Sequence, residues 1–352
     1  MELSPVSFKI LSMKMRNFLF IFLIPFLVSG CVTTGPYVSP GEVYQVTEEL
    51  KIKALKFKLQ KEQKVAEVGC RLLKSIDEKL GSFPYLGARF IRVDDYVRRL
   101  FNISSTYPYA IAYCVKDSPA EKAGLKAGDV VKEINGIRIY SSSALRSVLR
   151  NIQPQDKVEL VVIRGTDELK FHVVCEEVPA NVRFRMVDEE MINAGATPNE
   201  VVVTYGLMRF INSDDELAII LGHELAHIIR GHIAKRMGTD LLAVLLGIAA
   251  GYGAESISPG SGDVVMQGVG SAFSSYYSRE FEREADYYGI LYAYRAGYDI
   301  HAGIDVWERF AVEVPQSLTR DFFSTHPTSA ERLLRIKKIV QELEAEGKIP
   351  SR

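Results

Sequence analysis

His223 and His227 stand four positions apart, with Glu224 directly after the first, in Gly222-His223-Glu224-Leu225-Ala226-His227. The apolar residues Leu217, Ile220, Leu221, Leu225 and Ile228 recur around them at helical spacing, which predicts an amphipathic helix. Positions four apart share one face of a helix. The two rings can therefore hold one ion between them, and imidazole nitrogens at about 2.0–2.1 Å suit zinc. Glu224 leans over the same site without ligating. Its expected work is to take a proton from water that the ion activates.

A two-histidine zinc site needs a third protein ligand and an open fourth position. Downstream, Glu282 and Asp286 are also four apart and share a face of a second predicted helix. Glu282 is the candidate third ligand. Asp286 is the candidate acceptor for the free ring nitrogen of a ligating histidine, which would fix its tautomer. Taken alone, the run Arg279-Glu280-Phe281-Glu282-Arg283-Glu284 reads as a solvated charged helix face. The first helix has a clear start: Ser213 as N-cap with Glu216 three residues on, a capping box. Small Gly222 and Ala226 would let a neighbouring helix approach closely.

Taken together, these stretches resemble the HtpX and CAAX-prenyl-protease superfamily of gluzincin metallopeptidases, and within it the BepA-type proteases. The resemblance covers H-E-x-x-H at His223–His227 and S-R-x-x-E-x-x-A-D-x-x-G at Ser278–Gly289. It extends to Ser324-Thr325-His326-Pro327 with Glu331-Arg332, and to Asn193-Ala194-Gly195-Ala196-Thr197-Pro198, similar to an N-A-x-A-x-P signature. Asn199 departs from the glycine usual in the family. The resemblance implies one Zn2+ per chain, held by His223, His227 and Glu282, with Glu224 as general base and Asp286 behind a ligand. It implies that His326 and Arg332 reach into the site. It also implies that the loop bearing Asn193, Ala194, Gly195 and Ala196 leads to an edge strand that pairs with substrate backbone. A histidine fixed before proline, with Arg332 beyond it, suits stabilising a developing oxyanion. The alternative for His326 is a fourth ligand that keeps the site latent.

With 352 residues, 47% hydrophobic and 25% charged, the composition is that of an ordinary globular protein, long enough for more than one domain. The net charge of −1 and the lack of a basic patch argue against nucleic acid. Lys9, Lys14 and Arg16 precede an apolar run at residues 18–28, which reads as a secretory signal too short to span a membrane. It ends in Leu27-Val28-Ser29-Gly30-Cys31, which resembles a bacterial lipoprotein box; the alternative is a plain signal with an incidental cysteine. Cleavage before Cys31 and lipidation of its thiol are implied, and Val32 after it favours the outer membrane, facing the periplasm. Cys70, Cys114 and Cys175 remain; an oxidising compartment permits a bridge, but an odd number leaves at least one free thiol.

The expected order is a signal at 1–30, a tether at 31–41 and a helical part of the peptidase at 42–82. A β-rich domain at 83–177 and the zinc peptidase at 178–346 follow. Strand-like runs at residues 109–115, 130–134, 158–164 and 169–175 mark the β-rich insert. Ser118–Asp129 with Glu133-Ile134-Asn135-Gly136 resembles an HtrA-type PDZ domain, and Pro84-Tyr85-Leu86-Gly87 resembles its carboxylate-binding loop. Backbone N–H groups there could receive a terminal carboxylate, with the peptide added as a strand along a helix at 142–150. The other reading is a PDZ domain that only packs against the peptidase. Residues 241–250 are very apolar and 251–262 rich in Gly and Ser, which fits either a buried helix or a hinged lid. His232 reads as structural rather than ligating, His172 and His301 as bland, and Trp307 and Phe310 as core.

The fold class expected is α+β: a mainly helical gluzincin domain with a small sheet, plus the inserted PDZ domain. The function expected is zinc-dependent hydrolysis of internal peptide bonds in envelope proteins, as quality control. Polypeptides such as unfolded outer-membrane proteins are the substrates, C-terminal peptides occupy the PDZ groove, and a lipid anchor holds the membrane. The alternative is a PDZ scaffold or chaperone with a latent zinc site.

Overall fold

The computed structural model describes residues 36–235, 278–313 and 330–349. The chain divides into two compact units, Met1–Gln45 and Val46–Arg352, and apart from the first residues of α1 the second carries the elements below. Cys31, His326 and the 241–262 stretch lie outside the described residues.

Helix α1 (Pro40–Ser75) is the first long element. Its C-terminal half buries Val65, Val68, Leu72 and Leu73 in the larger core. Leu59 and Cys70 belong instead to a separate cluster with Ala112, Tyr113 and Val115 of the β-rich unit, which Leu55 and Ala66 also join. One helix thus faces two cores, touching the second through Leu55, Leu59, Ala66 and Cys70.

The β-rich unit follows. It opens with strand β1 (Phe83–Tyr85), β2 (Ala88–Arg92), helix α2 (Asp95–Phe101) and β3 (Tyr109–Cys114). A short helix α3 (Pro119–Lys122), β4 (Val130–Ile134), β5 (Ile137–Arg138) and helix α4 (Ser142–Arg150) come next. Strands β6 (Lys157–Arg164), β7 (Asp167–Val174) and β8 (Glu176–Val178) complete it. The main sheet runs β2-β3-β4-β6-β7 with β5 on β4, so β2 is an outer strand. Its core of Ile111, Val131, Ile134, Val158, Leu160 and Val162 is closed by Leu145 and Val148 of α4. β1 and β8 pair antiparallel, Phe83 opposite Val178, so the chain leaves and re-enters the larger unit through one two-stranded neck.

The larger unit resumes with β9 (Arg183–Val187), β10 (Ala194–Thr197) and β11 (Glu200–Thr204), in the order β10-β11-β9. The Asn193–Pro198 stretch, expected as a loop leading to an edge strand, is itself the edge: Ala194 sits opposite Val203 and Thr197 opposite Glu200. Helices α5 (Tyr205–Phe210), α6 (Asp214–Ile229), α7 (Arg279–Arg295), α8 (Ile300–Glu313) and α9 (Ala330–Ala345) follow. The result is a mainly helical domain with a small sheet beside a β-rich one, the α+β architecture expected.

α6 carries the H-E-x-x-H run. Ser213 caps it, its Oγ accepting from Glu216 N–H at 3.2 Å. The Glu216 carboxylate reaches back one residue further than a capping box requires, accepting from Asn212 N–H at 2.7 Å. The expectation of an amphipathic helix does not hold, because every residue from Glu216 to Ile229 is buried. α7, α8 and β10 pack around it, and a helix enclosed on all sides has no solvent face to present. Glu216, buried in this helix, accepts from Arg309 of α8 at 2.6 Å.

Candidate metal centre

The site forms where α6 crosses α7. Gly222 and Gly289 face each other at the crossing, so the backbones come together without side chains between them. That approach brings Glu282, two turns before Gly289, opposite the histidine face of α6. α7 is itself capped by Ser278, whose Oγ accepts from Phe281 N–H at 3.2 Å.

His223, His227 and Glu282 form a buried cluster that could hold a metal ion. The two Nε2 atoms are 3.2 Å apart. Glu282 Oε2 lies 3.6 Å from His223 Nε2, and Oε1 lies 3.5 Å from His227 Nε2. Zinc bonds of about 2.0–2.2 Å at tetrahedral angles put ligand atoms about 3.3 Å apart. Two imidazole nitrogens and one carboxylate at this spacing fit a single Zn2+. Glu224, next to His223, is 3% exposed.

The ring of His223 is fixed from behind. Its Nδ1 lies 3.0 Å from Asp286 Oδ1. Arg332 of α9 donates to the same oxygen from its NH2 group at 2.7 Å, and that group lies 3.0 Å from His223 Nδ1. Arg335 adds a weaker contact to Asp286 Oδ2 at 3.4 Å. The guanidinium of Arg332 stacks on the Trp307 ring, 3.9 Å from its centroid, a cation–π contact in a desolvated place. Burial works to raise the pKa of Asp286. The Arg332 charge and the bonds to His223 and Arg332 outweigh it and hold the carboxyl well below its usual range.

His227 is held by a different group. His232 is fully buried, and its Nδ1 lies 3.1 Å from His227 Nδ1. Its Nε2 lies 3.0 Å from Glu284 Oε2, and Glu284 Oε1 accepts from Arg230 Nε at 2.6 Å. Burial pushes the His232 pKa down despite the nearby carboxylate, which favours a neutral ring. Sequence reading left His232 as structural and did not single out Glu284 or Arg335. It placed Trp307 in the core without its arginine partner. The spacing of His232 carried no helical signal, since Gly231 at φ 71° turns the chain back between them.

The other predicted site residues lie apart from this cluster. β10 packs against α6. Ala194 is buried, while Gly195 and Ala196 are half-buried. Asn193 N–H donates to Thr204 Oγ1 at 2.9 Å, and Thr204 Oγ1 donates back to Asn193 O at 3.0 Å. Tyr85 lies in β1 beside Cys70 of α1, where burial and that thiol push its hydroxyl pKa far up, and it lines the same cavity as Leu86 and Gly87. Leu86 and Gly87 line a cavity of about 400 Å³ between the two domains. Gly87 has φ 76°, and a Cβ there would stand 2.2 Å from the Ser118 side chain, so only glycine fits. Cys70, Cys114 and Cys175 are all free and buried. Burial pushes the Cys114 thiol up to about 12 and Cys175 up to about 11. Among the described residues, no helix is long and apolar enough to cross a membrane.

Comparison with known proteins agrees with this architecture. Residues 172–340 match the model of peptidase family M48, and residues 84–174 match a PDZ domain. A mitochondrial metalloendopeptidase OMA1 of Arabidopsis thaliana is 31% identical over 160 residues, covering 45% of this chain and 32% of the relative. The human metalloendopeptidase OMA1 is 31% identical over 171 residues, covering 45% and 32%. A putative beta-barrel assembly-enhancing protease of Vibrio cholerae is 28% identical over 205 residues, covering 55% and 42%. The chain thus spans only about a third to under half the length of these three relatives. Residues 172–340 are thus similar to family M48 peptidases and residues 84–174 to PDZ domains.

Proposed function

We propose that this chain is a zinc-dependent endopeptidase of the bacterial envelope, in the manner of the BepA-type proteases, whose PDZ domain recognises substrates or partners. The observation that carries the peptidase reading is the convergence of two imidazole nitrogens and a carboxylate, 3.2–3.6 Å apart and buried, with Glu224 on the same helical turn.

His223, His227 and Glu282 would hold one zinc ion, which when bound supplies a Lewis acid beside the scissile carbonyl. Glu224 takes the proton of the attacking water and returns it to the leaving amine nitrogen. Asp286 and Arg332 keep the His223 ring in place. Arg332, with His326 from outside the described residues, is proposed to face the developing oxyanion. Substrate backbone would add to the free edge of β10, whose residues Asn193–Ala196 pack beside α6, and so lie across the site in extended form. In a second role, His326 would close the site as a fourth ligand until substrate displaces it.

The PDZ reading is supported by the cavity between the domains. Leu86, Phe90, Leu149 and Ile152 give it an apolar wall suited to a terminal aliphatic or aromatic side chain. β2 is the outer strand beside it, open to a further strand. Its other wall is the peptidase strand β9, with Arg183 and Arg185. A C-terminal peptide held there would touch both domains, and tethering would raise the local concentration of its chain at the zinc site. The signal-like residues 1–30 and Cys31 support a lipid anchor in the outer membrane facing the periplasm, with unfolded outer-membrane proteins as substrates.

Mass spectrometry of unfolded casein incubated with the protein tests the reaction type. Internal cuts support the endopeptidase. Release of single residues from one terminus would overturn it.

A further inference from the structure

The contact between His227 and His232 fixes more than position. Two ring nitrogens at 3.1 Å need one donor and one acceptor. His227 turns its Nε2 toward His223 and Glu282. A ring nitrogen that ligates must present a lone pair, so the proton of neutral His227 sits on Nδ1. His227 Nδ1–H then donates to His232 Nδ1. The proton of His232 is forced onto Nε2, where it donates to Glu284 Oε2 at 3.0 Å. Arg230 closes the chain by donating to the other oxygen of Glu284.

The opposite direction fails on the same geometry. If His232 Nδ1 carried the proton, His227 would bear its own on Nε2, aimed at the metal position. His232 would then face the Glu284 carboxylate with a bare Nε2, acceptor against acceptor. Only one proton arrangement satisfies both contacts with neutral rings, and it is the one that leaves His227 ready to ligate.

From this we infer that His232 and Glu284 are positioning residues of the metal site, holding His227 in its Nε2-ligating tautomer as Asp286 does for His223. The inference rests on the zinc reading above. α7 supplies both halves of the device: Glu282 meets the ion from one side, and Glu284 anchors His232 on the other. Phe281, between the Ser278 cap and Glu282, stacks flat on the His232 ring at 4.3 Å and 9°, which fixes its plane. Gly231 at φ 71° allows the turn that folds His232 back onto the end of α6.

Zinc affinity of the purified full chain, measured by chelator competition, tests the inference. Loss of an outer partner of a ligating histidine costs about 10–100-fold in metal affinity, and that loss is expected for His232→Ala. His232→Gln should recover most of it, since its amide oxygen can accept and its NH2 group donate. A space-filling role alone would not distinguish the two in this way. Should His232→Ala fail to fold, Glu284→Ala, at the half-exposed end of the chain, should still weaken zinc severalfold. Long-range 1H–15N spectra of the wild type should show His232 as the Nε2–H tautomer. Zinc binding of a folded His232→Ala or Glu284→Ala variant at the wild-type level, or an Nδ1–H tautomer, overturns the inference. A wild type that binds no zinc overturns instead the metal reading beneath it.

Discussion

Gly222 and Gly289 meet backbone to backbone where α6 crosses α7. A Cβ on Gly222 would stand 2.6 Å from Gly289 O, and one on Gly289 would stand 2.7 Å from His223 N. The two glycines set the distance between the histidines on one helix and Glu282 on the other, so the metal site is built on a helix crossing rather than on loops.

A methyl group at either position must therefore push the helices apart. Gly289→Ala is expected to cost about 1–3 kcal/mol of stability, the usual penalty for overpacking a filled core. It should also weaken zinc binding, because Glu282 moves with α7. Urea unfolding and chelator competition read the two effects, and an unchanged zinc affinity would show that the crossing does not set the site.

The depressed pKa of Asp286 gives a pH dependence with a definite sign. Its folded carboxyl is held below the ordinary value of 3.8. The unfolded chain therefore binds more protons there as pH falls. The stabilisation is fully present above about pH 4 and is lost as pH drops below 3.8 toward the folded value. In metal-free protein, Asp286→Asn should lose less stability between pH 5 and pH 3 than the wild type does. Parallel curves for the two proteins would contradict this.

Much of this centre could be read from the sequence, for a physical reason. His223, Glu224 and His227 sit on one helix, and helical spacing alone puts the rings together. Glu282 and Asp286 had the right spacing but looked like any charged helix face. Only the crossing at Gly222 and Gly289 shows that the face is buried. Ala194–Thr197 lacks the β-branched and aromatic residues that announce a strand, apart from Thr197, and forms one because β11 pairs with it. The amphipathic expectation for α6 failed because its polar residues find buried partners in other elements, as Glu216 does in Arg309. Glu284 reaches His227 through His232, and His232 and Glu284 are 52 positions apart in sequence, so no local pattern signals such a link.

Metal removal should be visible in stability. A ligand that binds only the folded state adds about 2.7 kcal/mol when present at 100 times its Kd. Added zinc should raise the Tm of metal-free protein, and Glu282→Gln should shrink the rise. An equal rise in the variant would mean that zinc binds elsewhere.

Arg183 and Arg185 share the single carboxylate of Glu200 at 3.4 and 3.5 Å, which leaves the cavity rim an excess positive charge at that wall. A labelled peptide with an apolar last residue and a free carboxylate should bind more tightly than its C-terminal amide. Arg183→Glu and Arg185→Glu should each weaken it. Exposed ion pairs contribute about 0.2–1 kcal/mol, so the loss of each is expected to be up to about fivefold and to fade in high salt. Fluorescence anisotropy reads all of this, and equal affinity for acid and amide would remove the PDZ groove from the account.

The most direct test of the central claim pairs metal content with casein cleavage for the wild type and Glu224→Gln. The account predicts one zinc per chain in both proteins. It predicts cleavage by the wild type, reduced by about 10²–10⁴-fold in the variant, the range lost with a general base. A wild type without zinc, or a variant that cleaves as fast as the wild type, would contradict it. Zinc in both and cleavage in neither would favour a scaffold with a latent site.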